Sequence, residues 1–228
     1  MLEQLKEEVL EANLALQRAG LVQLTWGNVS GIDRPSGRFV IKPSGVPYEA
    51  LAAADLVVVD LDGRRVEGSR NPSSDTPAHR VLYRAFAQIG GITHAHSLHA
   101  TMFAQAGREI PCLGTTHADV FFGPVPLARA LTAAEVEEDY ETHTGRVIVE
   151  RFAGLRPAEV PAVLVAHHGP FTWGRSASDA VHNAIALEAV AAMALGTLQL
   201  NPAAGALPGH ILDKHHARKH GPKAYYGQ

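Results

Sequence analysis

Arg38-Phe39-Val40-Ile41-Lys42-Pro43-Ser44-Gly45 and, a little further on, Asp55-Leu56-Val57-Val58-Val59-Asp60-Leu61-Asp62-Gly63-Arg64-Arg65-Val66-Glu67 decide the architecture. Both runs are rich in β-branched and aromatic residues, and each stops at a short turn, Pro43-Ser44-Gly45 or Leu61-Asp62-Gly63. The 38–67 region therefore reads as antiparallel neighbours, which points to a mixed α/β sandwich and away from a purely parallel doubly wound sheet. Residues 2–18 place Leu2, Leu5, Val9, Leu10, Ala12 and Leu16 near a 3.6 period and stop at Gly20, an amphipathic helix. Asn71-Pro72-Ser73-Ser74-Asp75 precedes a helix to about residue 88, and a strand over Gly91-Ile92-Thr93-His94-Ala95-His96 follows. Further expectations are a short helix near 97–106 and a strand around Val120-Phe121-Phe122. A helix from Thr132 to Tyr140 opens on a Thr132/Glu135 capping box. Last come a strand over Pro161–Ala166 and a buried helix from Ala177 to about Leu198. No linker or repeat divides the chain, so it reads as a single domain.

Composition narrows the function classes. With 228 residues, 46 % hydrophobic, 19 % charged and a net charge of −3, the chain is long enough for a full core and lacks the basic bias of a nucleic-acid binder. The single cysteine, Cys112, excludes an internal disulfide and fits a reducing cytoplasm. The N-terminus alternates charge and leucine, unlike a signal peptide or membrane span. The unusual count is 13 histidines, and imidazole is both a common metal ligand and the acid/base group of neutral pH.

Three constellations carry chemistry. His94 and His96 at i, i+2 on one strand would face one ion together. Asp75 upstream and His167-His168 at the end of a second strand would complete a three-histidine set with a carboxylate, the donor set of a catalytic zinc site. One of His167 and His168 would ligate and the other turn away, and spacing alone leaves both open. Asp75 also has a plain reading as a helix cap, and His79 shares its helix face. Second, Gly27-Asn28, Ser44-Gly45 beside Lys42, and Ser73-Ser74 at a helix N-terminus form small polar turns suited to an anion. Third, the tail His210–Gln228 is basic and ends with Tyr225-Tyr226, rings that seek an interface. Thr115-Thr116-His117-Ala118-Asp119 reads as a polar loop in which His117 and Asp119 could do acid/base work.

Taken end to end, the motifs Leu24-Thr-Trp-Gly-Asn-Val-Ser30, Ile41-Lys-Pro-Ser-Gly-Val46, Pro72-Ser-Ser-Asp-Thr-Pro77, Thr93-His-Ala-His-Ser97, Gly114-Thr-Thr-His-Ala-Asp119, His168-Gly-Pro170, Asp179-Ala-Val-His-Asn-Ala-Ile185 and Lys219-His-Gly-Pro-Lys-Ala-Tyr-Tyr-Gly-Gln228 resemble the class II aldolase/epimerase superfamily, and within it the L-ribulose-5-phosphate 4-epimerase family. The resemblance implies a three-layer sandwich around a largely antiparallel sheet. It implies a divalent metal, zinc before manganese or cobalt, held by Asp75, His94, His96 and His168. Phosphate contacts would come from Asn28, Lys42, Ser44, Gly45, Ser73 and Ser74. Asp119 and Tyr226 would be the acid/base pair, Tyr226 reaching in from a neighbouring subunit of a C4 homotetramer at whose interfaces residues 210–228 dock. Thr116, Glu141, His215 and Arg218 would support that site. The implied reaction interconverts L-ribulose 5-phosphate and D-xylulose 5-phosphate by retro-aldol cleavage and aldol recombination through a metal-stabilised enediolate, a step of arabinose catabolism. No nucleic acid or membrane is involved. Alternatives on the same fold are a fuculose- or rhamnulose-phosphate type aldolase, in which a glutamate typically stands in the region of Asp75, and a non-catalytic, adducin-like relative.

Overall fold

Alternation along the strands builds the layers of the computed structural model, which describes residues 2–225. The strands are β1 (Asn28–Asp33), β2 (Arg38–Ile41), β3 (Val57–Asp60), β4 (Arg65–Glu67), β5 (Gly91–His94), β6 (Leu127–Ala128), β7 (Ala162–Val165) and β8 (Pro170–Gly174). The helices are α1 (Leu2–Arg18), α2 (Thr76–Ala85), α3 (Leu98–Gln105), α4 (Thr115–Ala118), α5 (Ala133–Arg151), α6 (Ala177–Leu200) and α7 (Gly209–His220). Phe39, Ile41, Val57 and Val59 face α2 and α5, whereas Val40 and Val58 face α1 and α6. That is the period of two expected of strands covered on both sides. The strands form one sheet in the order β4-β3-β2-β1-β5-β8-β7-β6. All neighbouring pairs run antiparallel except β6 with β7. The 38–67 reading is thus borne out, and the architecture is the three-layer, largely antiparallel sandwich.

The helix layers are fastened by aromatic and apolar packing. Trp173, 1 % exposed, packs on Phe86 and Phe152 beneath α2 and α5. On the other side α6 lies across β5 and β8. Its N-terminus comes so close that a Cβ at Gly174 would stand 2.4 Å from that of Asp179, and one at the paired Gly91 2.3 Å from the Ser176 carbonyl oxygen. Only glycine fits there. α6 is long and apolar enough to cross a bilayer by composition. Its buried side, from Ala177 through Ala194, packs against α1, α3 and the sheet, so it is a core helix.

Several local expectations change. Residues 120–122 form no strand: the chain turns there after α4, and Phe121 is buried without pairing, so its aromatic signal reports burial and not a ladder. The polar run 115–119, read as a loop, contains α4. The helix opened by the Thr132/Glu135 capping box continues to Arg151 across a kink at Asp139 (φ −168°, ψ 87°). Strands β1 and β8 and helix α7 emerge only in the structure, because their sequences carry no strong periodic signal. β1 is buried along nearly its whole length despite its polar sequence, because Asn28 and Ser30 find side-chain partners inside.

Candidate active site

The end of β5 and the β7–β8 turn bring three imidazoles together. His94 is buried, stacks on Phe171 with ring centroids 4.1 Å apart, and donates from Nδ1 to the Pro170 carbonyl at 2.9 Å. A carbonyl can only accept, so the proton sits on Nδ1 and the Nε2 lone pair faces the cluster. His96 does not lie on the strand as expected: β5 ends at His94, and His96 is the exposed residue of the link to α3, between buried Ala95 and Ser97. Its Nε2 is nevertheless 3.1 Å from that of His94. His168 lies 4.7 Å from His94 and 5.1 Å from His96 between ring centroids. His167 is exposed in a left-handed turn (φ 63°), so a turn, not strand alternation, separates it from His168. The three donor nitrogens lie within 4.8 Å of one another. Two zinc–nitrogen bonds at a tetrahedral angle would hold their nitrogens ~3.3 Å apart, so the His94–His96 spacing suits an ion. Burial and the neighbouring imidazoles pull His96 down to about 4 and His168 to about 3. Both stay neutral, the ligating form, at physiological pH.

Asp75 occupies the N-cap position of α2 but makes no capping bond. Its carboxylate instead accepts from Asn28 Nδ2 at 2.6 Å and lines the same cavity as the three histidines. Burial acts to raise Asp75, but His94, His79 and the Asn28 donor outweigh it and hold the carboxyl below the usual range. His79 points into the sheet, with Nδ1 2.7 Å from Ser30 Oγ, which in turn meets the Tyr83 hydroxyl at 2.7 Å. Burial pulls His79 down to about 3.

The cavity, about 370 Å³, extends from the histidines to the three polar turns. Two of those turns are zipped together: Ser44 N–H donates to the Asn71 carbonyl and Ser73 N–H to the Lys42 carbonyl, both at 3.0 Å. Asn28 Nδ2 joins the third through Ser73 Oγ at 3.0 Å, while Asn28 Oδ1 is buried with no partner among the described residues. Lys42 is buried, donates to the Val46 carbonyl at 2.8 Å, and lies 4.7 Å over the Tyr48 ring. Burial lowers it to about 8. Gly45 has φ 69° and nothing within 4 Å of its Cβ position, leaving its backbone open to a ligand. Ser73-Ser74 precede α2, whose N-terminal amides add positive potential. The kink at Asp139 turns Tyr140 and Glu141 into the lining, with the Tyr140 hydroxyl 3.4 Å from His168 Nδ1.

Asp119 stands apart from this cavity. Arg218 clamps it with two bonds of 3.0 and 2.6 Å and His215 Nδ1 adds a third at 3.0 Å, so α7 is docked onto the end of α4. Burial acts to raise Asp119, and these donors outweigh it, keeping it a carboxylate. His117 is structural: it is buried, contacts the Gly123 carbonyl at 2.8 Å, and is lowered to about 4 by burial. Thr116 lines a different pocket, against α6. Cys112 is buried, and burial pushes its thiol up, which makes it a poor nucleophile. Tyr226 lies outside the described residues.

A sequence profile of the class II aldolase and adducin N-terminal domain family matches residues 7–195. The chain belongs to this family. It is 53 % identical over 227 residues, the full length of both chains, to the L-ribulose-5-phosphate 4-epimerase UlaF of Salmonella paratyphi C (strain RKS4594), and equally to that of Salmonella choleraesuis (strain SC-B67). Among solved structures it resembles an L-fuculose 1-phosphate aldolase, with TM-score 0.80 and 25 % identity over 94 % of this chain and 95 % of the other. The L-fuculose-1-phosphate aldolase of Thermus thermophilus aligns with TM-score 0.68 and 25 % identity over 89 % and 98 %. Class II aldolases depend on a divalent metal, and the histidine cluster of this family member has the donor set for one. One lining residue, Tyr140, escapes sequence reading: the sequence ends a helix there, and the kink at Asp139 that turns it into the cavity leaves no local pattern.

Proposed function

We propose that the chain is a metal-dependent epimerase that interconverts L-ribulose 5-phosphate and D-xylulose 5-phosphate at C4. The observation that carries this is the cavity itself: converging imidazoles stand at one end and anion-ready turns at the other, in a chain 53 % identical over its full length to L-ribulose-5-phosphate 4-epimerases. His94, His96 and His168, with Asp75, would hold the metal, and zinc suits this donor set best. When bound, it would supply the Lewis acidity that stabilises the enediolate left by cleavage. C4 is not adjacent to the carbonyl, so inversion there cannot proceed by simple deprotonation, and the C3–C4 bond must break and re-form.

The residues divide that work. Ser44, Gly45, Ser73 and Ser74 hold the phosphate, and Lys42 supports their turn from beneath. Asn28 Oδ1, otherwise unpartnered, accepts a substrate hydroxyl. One of Asp119 and Tyr226 removes the C4 hydroxyl proton. The C3–C4 electrons pass to the three-carbon fragment, and glycolaldehyde phosphate presents its other face. After the bond re-forms, the second group protonates the new C4 alkoxide. Asp119 lies outside the lining of the cavity and is bonded to α7, the helix that leads to Tyr226. Both groups therefore serve the cavity of a neighbouring subunit, in a C4 homotetramer whose interfaces the 210–228 segment crosses. Asp75 in place of a glutamate favours the epimerase over the aldolases. A reducing cytoplasm suits the lone, buried Cys112.

The test is purified, metal-replete protein with L-ribulose 5-phosphate, followed by NMR, with His96→Asn as control. Formation of D-xylulose 5-phosphate, lost in the control, is expected. Net release of glycolaldehyde phosphate and dihydroxyacetone would make the protein an aldolase instead.

A further inference from the structure

The pairing of β5 fixes His94 but stops short of His96, so something else must hold the second imidazole in place. The next regular element is α3, which starts two residues later. Ser97 occupies the N-cap of α3, yet its hydroxyl caps no backbone amide of that helix. The capping role is filled from across the fold. Glu188, on α6, accepts from the His99 backbone N–H at 2.9 Å and from His99 Nδ1 at 2.7 Å through one carboxylate oxygen, and from the Ala100 N–H at 3.1 Å through the other. These two amides are among the four that a helix start leaves unpaired, and a carboxylate there also meets the positive end of the helix. α6 itself rests on β5 and β8, the strands that position His94 and its Pro170 acceptor.

We propose that Glu188 is a positioning residue for the metal centre: by capping α3 it fixes the Ala95-His96-Ser97 link and so sets the His96 imidazole against His94 and His168. The proposal rests on the metal-dependent reading above and extends it to a residue 89 positions away from His99, whose amide it caps. Without the cap, the first turn of α3 frays, His96 samples other orientations, and metal binding must bear the entropy of ordering it. Loss of such outer contacts typically weakens metal binding by roughly 10–100-fold.

The experiment measures zinc affinity by chelator competition, without substrate, for the wild type, Glu188→Ala, Glu188→Gln and Leu16→Ala. Leu16 is buried between α1 and the sheet, far from the cluster in the chain, and controls for simple loss of stability. Glu188→Ala is expected to raise the zinc dissociation constant at least ~10-fold and Glu188→Gln by less, since its carbonyl can still accept one amide. Leu16→Ala should lower the melting temperature and leave zinc affinity unchanged. The cobalt-substituted Glu188 variants should show altered visible d–d bands. If Glu188→Ala does not fold, the isosteric Gln variant decides. Zinc affinity and cobalt spectra equal to wild type in the Glu188 variants would overturn the proposal and leave the epimerase reading intact. A wild type that binds no zinc or cobalt would overturn both.

Discussion

Two buried histidines of this chain, His79 and His117, are held neutral by what surrounds them. His79 is the clearest case, because burial holds it neutral down to about 3 in the fold while an unfolded chain titrates near 6.5. The unfolded state therefore binds the extra proton between those values. The neutral histidine contributes its full stability above pH ~6.5, and that contribution falls as pH drops, by ~1.4 kcal/mol per unit, until the folded value is reached. His117, lowered to about 4, acts with the same sign. In metal-free protein, melting temperature should thus decline from pH 6.5 towards 4, and His79→Asn, which can keep the contact with Ser30 but does not titrate, should make the decline shallower. Differential scanning calorimetry across that range checks it, and an unchanged slope would remove His79 from the account. The clustering of His94, His96 and His168 is legible in the sequence because two imidazoles at i, i+2 and a further pair after a second strand have few bland explanations. His79 and His117 carry the same side chain and stay ambiguous there, since only burial and a partner, Ser30 or the Gly123 carbonyl, distinguish a core histidine from a ligand.

At the scale of elements, α7 is the part whose attachment depends most on polar contacts. None of its described residues is buried. Its polar contacts centre on Asp119, Arg218 and His215 on the carboxylate and His220 on the carbonyl at 2.9 Å, beside the His216 ring 4.9 Å from that of Phe122. The same bonds that dock the helix keep Asp119 ionised. Arg218→Ala should therefore do two things together: loosen α7, seen as faster tryptic cleavage within 209–220, and raise the Asp119 pKa. If Asp119 must be ionised to act, the acid limb of the kcat/KM profile moves to higher pH. Cleavage without a shift of the limb would mean that Asp119 is not the titrating base. The sequence shows only a basic tail here because a helix with no apolar face has no periodicity to detect. Strands β1 and β8 are hidden for the opposite reason. β1 opens on Asn28 and holds Ser30, and β8 opens on Pro170, residues that announce turns locally and find their partners only in the assembled sheet. The antiparallel 38–67 region, by contrast, is legible because alternating apolar residues and glycine-bearing turns agree.

For the whole molecule the decisive question is whether one chain can complete its own site. The cavity gathers the three histidines and the polar turns, but not Asp119, which is bonded to α7. On the proposed assignment of Asp119 and Tyr226 as the acid/base pair, a substrate bound to the histidines would lack those partners unless another copy supplied them. The proposed closed ring of subunits would solve this for every copy at once, because each would give one half-site and receive the other. The arrangement has a consequence that no single-chain site shares. His96→Asn and Asp119→Asn subunits should each be inactive alone, since one lacks the metal half and the other the acid/base half. Mixed by unfolding and refolding, they form some interfaces at which an Asp119→Asn subunit supplies the intact metal half and a His96→Asn subunit the intact Asp119. For random mixing in equal amounts about one quarter of the sites are whole, so activity should recover to ~25 % of wild type, in a particle of four times the 24.3 kDa chain mass by sedimentation. If the mixture stays inactive while forming that particle, each chain completes its own site, and Asp119 must reach its own cavity by a movement of α4 and α7 together.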